Sequence, residues 1–198
     1  TILAAAAAAS VAYAEPFRDG DCVVFLGDSI SHRWEVAGSN VLARLTKRYS
    51  VLDLGFGADH TEQVLWRITQ GGELDGYEAT HVFLLMGTNN LDVNTDAEIA
   101  QGIVELVRVV RLHQPKAQIH VCGILPRADR FDRWPKANEA IQQALRQEVL
   151  DGVDYLDLSP AVLNSDGTFR PELFTDGLHP NAEGYRLLAK RIKKVVKL

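Results

Sequence analysis

Ser29, Asp176 and His179 carry the three functional groups that nucleophilic acyl transfer requires. Ser29 lies in the segment Gly27-Asp28-Ser29-Ile30, directly after an apolar run, and Asp176 and His179 stand three residues apart far downstream. A serine hydroxyl is a weak nucleophile unless an adjacent base accepts its proton and a third group orients that base. We therefore predict Ser29 as the nucleophile, His179 as the base and Asp176 as the group that orients the base.

Two other interpretations of the serine segment have to be weighed. The Gly-x-Ser-x-Gly motif of the α/β hydrolases is absent, so that fold is not the origin of the pattern. An Asp-Ser pair after a strand is also a common helix N-cap. Both roles are compatible, because a helix that begins at Ser29 would aim its amides at a developing oxyanion.

Two further loops contain groups that could bind an oxyanion. The segment Gly87-Thr88-Asn89-Asn90 offers an asparagine amide, and the segment Leu54-Gly55-Phe56-Gly57-Ala58-Asp59-His60-Thr61 offers backbone N–H groups. Taken alone, the first is better interpreted as an asparagine-rich turn and the second is weak evidence. Their significance depends on where the fold places them.

The elements that must position these residues are five strands separated by helices. Apolar runs predict strands at 22–27, 50–54, 81–86, 118–124 and 153–158, and several of them are apolar on both faces, as is typical of parallel strands covered by helices. Between the third and fourth strands, Ile99, Ile103 and Val110 repeat with helical spacing.

This alternation predicts an α/β protein of the flavodoxin-like type, a three-layer α/β/α sandwich around a central five-stranded parallel sheet. In such sheets ligands bind beyond the carboxyl ends of the strands. The serine and the two loops all follow a predicted strand. The sequence therefore predicts that these groups meet at one edge of the sheet.

Taken together, the four stretches resemble the SGNH (GDSL) hydrolase superfamily, which is marked by serine, glycine, asparagine and histidine blocks in this order. Within it the chain is most similar to the catalytic subunits of intracellular-type platelet-activating-factor acetylhydrolase and their bacterial relatives. The similarity includes Val64-Leu65-Trp66-Arg67, Gly72-Glu73-Leu74, Leu125-Pro126-Arg127 and Ser165-Asp166-Gly167, and it extends from about residue 23 to the C-terminus. The resemblance implies the SGNH hydrolase fold and a single domain over 15–198.

The resemblance also assigns roles to residues of the site. It implies Ser29, His179 and Asp176 as the triad, with the Ser29 amide and the Asn89 side chain as oxyanion donors. The third donor in the family is a glycine amide before an aspartate, and here that position is Ala58, with Gly57 as an alternative donor. An alanine there costs roughly 1 kcal/mol or more if the backbone requires a positive φ.

The same resemblance implies substrate contacts and a reaction. Ile30, Thr88 and Leu178 would line a small acyl pocket, and Asp28 would belong to the substrate-binding site. The expected function is a cofactor-independent serine esterase that hydrolyses short-chain esters, principally acetyl esters, through an acyl-enzyme. The expected partner is a small-molecule ester of a carbohydrate, lipid or aryl alcohol, and a homodimer is one expected oligomeric state.

Two alternatives from other functional classes stay open at the level of sequence. A metal-dependent phosphoesterase would use the set Asp28, Asp59, His60, Asn89 and His179 as ligands, although their spacing matches no known metal template. A non-catalytic binding or assembly protein would keep the fold, and Ala58 keeps this interpretation open.

Composition narrows the partners and cofactors. The chain has 198 residues and a formal net charge of −5, which gives no electrostatic reason to bind nucleic acid. The two cysteines, Cys22 and Cys122, lie in apolar strand-like runs and are predicted to be small buried hydrophobes. No spacing of cysteine and histidine suggests a metal site, and we expect none.

Residues 1–14 form a separate, nearly continuous apolar segment that ends in Ala12-Tyr13-Ala14. This ending is typical of the site that a signal peptidase cleaves, and the segment is shorter than the roughly 20 residues that span a bilayer. We therefore expect a periplasmic or secreted protein. The alternative is an alanine-rich helical arm that stays on a cytoplasmic protein.

Overall fold

A computed structural model describes residues 22–148 and 150–196 of the chain. The signal-like segment 1–14 lies outside the described residues, as does the start of the predicted 15–198 domain. The strands are β1 (Cys22–Gly27), β2 (Ser50–Gly55), β3 (His81–Leu85), β4 (Gln118–Cys122) and β5 (Val153–Leu156). The helices are α1 (Ser29–His32), α2 (Ser39–Leu45), α3 (Thr61–Gln70), α4 (Asp96–His113), α5 (Trp134–Gln147) and α6 (Ala182–Val196).

The five strands form one parallel sheet in the order β2-β1-β3-β4-β5. This confirms the predicted α/β architecture with a five-stranded parallel sheet between helices. The chain order reverses direction beside β1, so the carboxyl ends of β1, β2 and β3 surround the point where such sheets bind ligands.

Alternate residues of β1 pack into two cores, one on each face of the sheet. Val24 and Leu26 face a core shared with α3, α4 and α5. Val23 and Phe25 face a second core shared with α1, α2 and α6. Because β1 is buried on both faces, its backbone is a rigid support for the serine that follows it.

Three strands end slightly earlier than the apolar runs predicted. β4 ends at Cys122 because the Asn138 side chain takes over the backbone bonds of Ile124: its Oδ1 accepts from the Ile124 amide at 2.8 Å and its Nδ2 donates to the Ile124 carbonyl at 2.9 Å. β5 ends at Leu156 because Asp157 Oδ1 accepts from the Ser159 amide at 2.9 Å and so begins a turn.

Both cysteines are buried and free, as predicted. Within 22–148 and 150–196, no helix combines the length and the apolar character needed to cross a bilayer.

Candidate active site

Ser29 is the first residue of α1 and follows the end of β1 directly. The carboxylate of Asp28 caps this helix, since its Oδ1 accepts from the Ile30 amide at 2.9 Å. Both roles considered for the segment are therefore present in it: Asp28 is the N-cap, and the Ser29 side chain lies at the carboxyl edge of the sheet. In the described residues no hydrogen bond is formed by the Ser29 amide.

A tight turn between Phe174 and Pro180 presents Asp176 and His179. The His179 carbonyl accepts from the Thr175 amide at 2.9 Å, and Gly177 provides the positive φ of +77° that closes the turn. Oδ1 of Asp176 accepts from the His179 amide at 2.7 Å. The helix that follows begins at Ala182, two residues after Pro180, so Pro180 belongs to the turn and not to the helix.

The turn and the serine meet in one chain of hydrogen bonds. Ser29 Oγ lies 2.9 Å from His179 Nε2, and His179 Nδ1 lies 2.7 Å from Asp176 Oδ2. An ionised carboxylate can only accept, so Nδ1 carries the ring hydrogen and Nε2 accepts from the serine hydroxyl. Ser29 and His179 are 150 positions apart in the sequence. The fold nevertheless aligns the three side chains for proton transfer.

The electrostatics keep Asp176 ionised. Partial burial acts to raise the pKa of its carboxyl, but the His179 amide, the His179 ring and the Leu178 amide all donate to it and together hold the pKa at about 2. At neutral pH this carboxylate is therefore charged and can stabilise a protonated His179.

Beside the serine, the loop after β2 presents backbone amides. Ala58 has a φ of +65° and is the residue other than glycine with positive φ in the described part of the chain. Gly57 lies next to it, does not have positive φ, and a Cβ placed on it would meet nothing within 4 Å. The Asn89 side chain holds this loop, since its Nδ2 donates to the Asp59 carbonyl at 2.8 Å.

Arg67 of α3 ties the loop to the sheet. Its Nε donates to Asp59 Oδ2 at 2.9 Å, another nitrogen pairs with Glu73, and Nη2 lies within hydrogen-bond distance of the Gly27 and Leu54 carbonyls at the ends of β1 and β2. The guanidinium also lies 4.3 Å from the centroid of the Phe56 ring. One buried cation therefore links the loop to two strand ends.

Sequence reasoning missed Arg67, although a signal existed. Arg67 lies on the face of α3 that also buries Val64 and Ile68, and an arginine on an apolar helix face has to find partners there. Arg127 was missed in the same way. It donates to the Thr88 carbonyl at 3.0 Å and to Asp92 at 2.9 Å, and so supports the loop that carries Asn89.

The serine opens into a cleft of about 570 Å³. Its lining consists of Ser29, His32, Arg33, Val36, Gly57, Ala58, Asn89, Leu178 and His179. Two predicted triad members, Ser29 and His179, thus line one cleft with the predicted oxyanion donors Gly57, Ala58 and Asn89. The third, Asp176, is not in the lining and contacts His179 Nδ1. Leu178 also lies in the lining, as expected for a pocket residue.

Asp28, Ile30 and Thr88 do not line the cleft, contrary to the prediction. They are exposed by only 1%, 1% and 2%. Ile30 follows Ser29 on a helix and is rotated about 100° away from it, into the core shared with Tyr185. Their positions next to the motifs correctly predicted that these residues follow the ends of strands. The same positions did not predict the direction in which each side chain points.

Burial also changes the chemistry of Asp28. Loss of solvent raises the pKa of its carboxyl to about 7, against the opposing effect of the Ile30 amide. Its Oδ2 and the Thr88 Oγ1 have no hydrogen-bond partner among the residues that the structure describes. In this structure Asp28 therefore acts as the cap of α1, beneath the residues that line the cleft.

Comparison with known proteins agrees with this architecture. The model of the GDSL-like lipase/acylhydrolase family matches residues 25–187. The chain belongs to this family. It is therefore a carboxylic ester hydrolase, as the motifs predicted.

Three relatives illustrate the similarity of this GDSL hydrolase to other members. Platelet-activating factor acetylhydrolase IB subunit alpha2 of Rattus norvegicus is 31% identical over 88% of this chain and 75% of its own length. A GDSL-like lipase from Bacteroides thetaiotaomicron shares the fold with a TM-score of 0.79 at 18% identity, over 98% of this chain and 97% of that one. An acetyl esterase shares it with a TM-score of 0.67 at 19% identity, over 90% and 97%.

No group of three or more histidine, cysteine, aspartate or glutamate side chains in the described ranges is arranged to hold a metal ion. The residues considered as ligands have other partners in this hydrolase. Asp59 pairs with Arg67, and His179 lies between Asp176 and Ser29.

Proposed function

We propose that the protein is a serine esterase that hydrolyses short-chain, principally acetyl, esters through an acyl-enzyme. The observation that carries the proposal is the continuous contact from Ser29 Oγ through both ring nitrogens of His179 to Asp176, at 2.9 and 2.7 Å. Distances of this size allow a proton to move from the hydroxyl to the ring during attack.

In the acylation step, Ser29 Oγ attacks the ester carbonyl while its proton passes to His179 Nε2. The resulting imidazolium is stabilised by the ionised Asp176. His179 then gives the proton to the oxygen of the departing alcohol, and the acyl group stays on Ser29. In the second step water attacks this ester, His179 accepts and returns a proton in the same way, and the carboxylic acid leaves.

The developing oxyanion would be bound by the amides of Ser29 and Ala58 and by the second N–H of Asn89 Nδ2. The first Asn89 N–H is already used on the Asp59 carbonyl, which fixes the amide plane. Donors of this kind contribute about 3 to 4 kcal/mol each where they have been removed from other hydrolases. The contribution of Gly57 as an alternative donor stays a prediction.

The acetyl preference rests on the relatives. The mammalian relative at 31% identity is named an acetylhydrolase, and a solved neighbour is an acetyl esterase. We expect kcat/KM on 4-nitrophenyl esters to be highest for acetate and to fall steeply by palmitate. Equal values for the two esters would contradict the preference without touching the serine mechanism.

Replacement of the nucleophile tests the function itself. Ser29→Ala removes the attacking oxygen and should lower kcat on 4-nitrophenyl acetate by roughly 10³ to 10⁶. Circular dichroism and the unfolding midpoint of the variant should match those of the wild type, because Ser29 is only partly buried and Asp28 still caps α1. Retention of most of the activity by a folded Ser29→Ala variant would overturn the proposal.

The contacts favour this function over the phosphoesterase alternative, because Asp59 is engaged by Arg67 and Asp28 is buried beneath the cleft. They also favour it over the non-catalytic alternative, because the alanine at position 58 keeps both its amide and the left-handed backbone. A homodimer and export through residues 1–14 stay predictions.

A further inference from the structure

Arg33 differs in its partners from the other arginines that are at least partly buried. It is partly buried, yet among residues 22–148 and 150–196 its guanidinium forms no ion pair, side-chain hydrogen bond or cation–π contact, and its charge acts only on the neutral hydroxyl of Tyr185, where it opposes the rise in pKa that burial causes. Each of the other arginines in these ranges that is at least partly buried pairs with a carboxylate or donates to a backbone carbonyl. They are Arg67, Arg111, Arg127, Arg130, Arg133, Arg170 and Arg191.

Its position places this cation beside the nucleophile. The Arg33 amide donates to the Ser29 carbonyl at 3.0 Å, which is the i to i+4 bond of a helical turn. Side chains at this spacing lie on the same helix face with Cβ atoms about 5–6 Å apart. Ser29 and Arg33 accordingly line the same cleft.

The cleft contains nothing that neutralises Arg33. None of its lining residues is an aspartate or glutamate, and its other polar side chains are those of Ser29, His32, Asn89 and His179. A partly desolvated cation without a counter-ion is unfavourable, and an anion that enters the cleft would relieve that cost. The chain as a whole carries a net charge of −5, so the positive charge at this point is local to the site.

We propose that Arg33 binds an anionic group, a carboxylate or a phosphate, on the alcohol portion of the ester substrate. The inference rests on the proposed esterase function, in which an acetyl group carries no charge and the anion must belong to the leaving alcohol. The planar guanidinium can donate two parallel hydrogen bonds to either group. Val36 and Leu178 provide apolar surface in the same cleft for the carbon skeleton between the ester and the anion.

Paired substrates isolate this contact. 4-Acetoxybenzoate and 4-acetoxybenzamide have nearly the same shape and differ by one negative charge, and each kcat/KM is divided by the rate of uncatalysed hydrolysis of that ester. We expect the wild type to favour the benzoate by about tenfold, mainly through KM. The preference should shrink as sodium chloride is raised, because salt screens an exposed ion pair. 4-Acetoxyphenyl phosphate is the third arm and distinguishes phosphate from carboxylate recognition.

The variants assign the preference to one side chain. Arg33→Gln should bring the ratio of kcat/KM for the two esters close to one, and Arg33→Lys should keep part of the preference. Arg146→Gln removes an equal charge from an exposed site on α5 and should leave the ratio unchanged.

The outcomes separate the inference from the function on which it rests. Hydrolysis of the benzamide by the wild type with no preference for either anionic ester would overturn the role of Arg33 and leave the esterase function standing. An Arg33→Gln variant that prefers the anionic esters as strongly as the wild type does would also overturn it. If the wild type hydrolyses none of the three esters, and Ser29→Ala has the same kcat on 4-nitrophenyl acetate as the wild type, the esterase function itself would be contradicted.

Discussion

Ala58 is the residue at which this chain departs from the pattern that its resemblance implies. The backbone there has a φ of +65°, which an alanine adopts at a cost of roughly 1 to 2 kcal/mol because its Cβ crowds the following carbonyl. The neighbouring contact of Asn89 with the Asp59 carbonyl and the pairing of Asp59 with Arg67 hold the loop in this strained form. The strain is thus maintained at the amide that the proposed mechanism uses to bind the oxyanion.

Ala58→Gly should relieve this strain. We expect the free energy of unfolding, measured by urea denaturation, to rise by up to about 1 kcal/mol after the extra chain entropy of glycine is subtracted. The kcat on an aryl acetate should stay within about twofold, since the amide is retained. Gly57→Ala is the matched control, because Gly57 lacks positive φ and has open space around it. A clear loss of stability in Ala58→Gly would show that position 58 is not strained.

At the scale of single residues, the sequence predicted which residue types meet near the cleft better than it predicted the direction in which each side chain points. Ser29, Asp176 and His179 could be proposed as a triad because that chemistry requires those residue types, and Ala58 could be flagged because a glycine was expected there. Ile30 and Thr88 were misplaced because a helical rotation or a strand end decides which way a side chain points. Arg33 and Arg67 were missed because their roles depend on partners, or on the lack of them, that only the folded chain defines.

At the scale of elements, α3 acts on the site through Arg67. Its guanidinium joins the ends of β1 and β2 to the Gly57–Asp59 loop, and the carboxylates of Asp59 and Glu73 are both largely buried with it. Burial raises the pKa of Glu73, while Arg67 opposes that rise. The loop is therefore positioned by a charged cluster and not by apolar packing alone.

Arg67→Lys should loosen this loop, since a lysine keeps the charge but cannot reach both carboxylates and both carbonyls. We expect kcat to fall about tenfold with little change in KM, and the free energy of unfolding to fall by about 3 kcal/mol. Arg108→Lys is the control, because its pairs with Glu105 and Glu148 are at the surface and contribute about 0 to 1 kcal/mol. Equal effects of the two variants would mean that Arg67 is not a positioning residue.

The elements also show what limited the prediction of the fold. β1 was predicted residue for residue because it is apolar on both faces and is bounded by Gly27 and Asp28. The end of β4 was predicted too late because Asn138, 14 residues downstream, satisfies the Ile124 backbone with its side chain. A bond of this kind has no local sequence signal.

At the scale of the whole molecule, two carboxyl groups with shifted pKa values make the free energy of unfolding depend on pH. The folded protein raises the pKa of Asp28 from its ordinary 3.8 to about 7, so between these values the folded state binds a proton that the unfolded state has lost. The contribution of Asp28 to the free energy of unfolding therefore falls as pH rises from about 4 to about 7. Asp176 has the opposite sign: its contribution is present above its ordinary pKa and is lost as pH falls towards about 2.

Asp28→Asn should remove the first dependence. An asparagine can still accept from the Ile30 amide, but its side chain does not titrate. The free energy of unfolding of the variant, relative to that of the wild type, should therefore increase between pH 4.5 and pH 8 in urea denaturation. Asp132→Asn changes an exposed carboxylate and should show little change between the two pH values. A relative stability of Asp28→Asn that does not vary with pH would contradict the raised pKa.

Covalent labelling with a fluorophosphonate tests the central claim most directly, because phosphonylation requires a serine oxygen activated by its neighbours. Intact-mass spectrometry and peptide mapping should find one adduct per chain, on Ser29. The adduct should be absent from Ser29→Ala and form far more slowly in His179→Gln. A folded wild-type protein that gains no adduct, or that is labelled elsewhere while Ser29 stays free, would contradict the account.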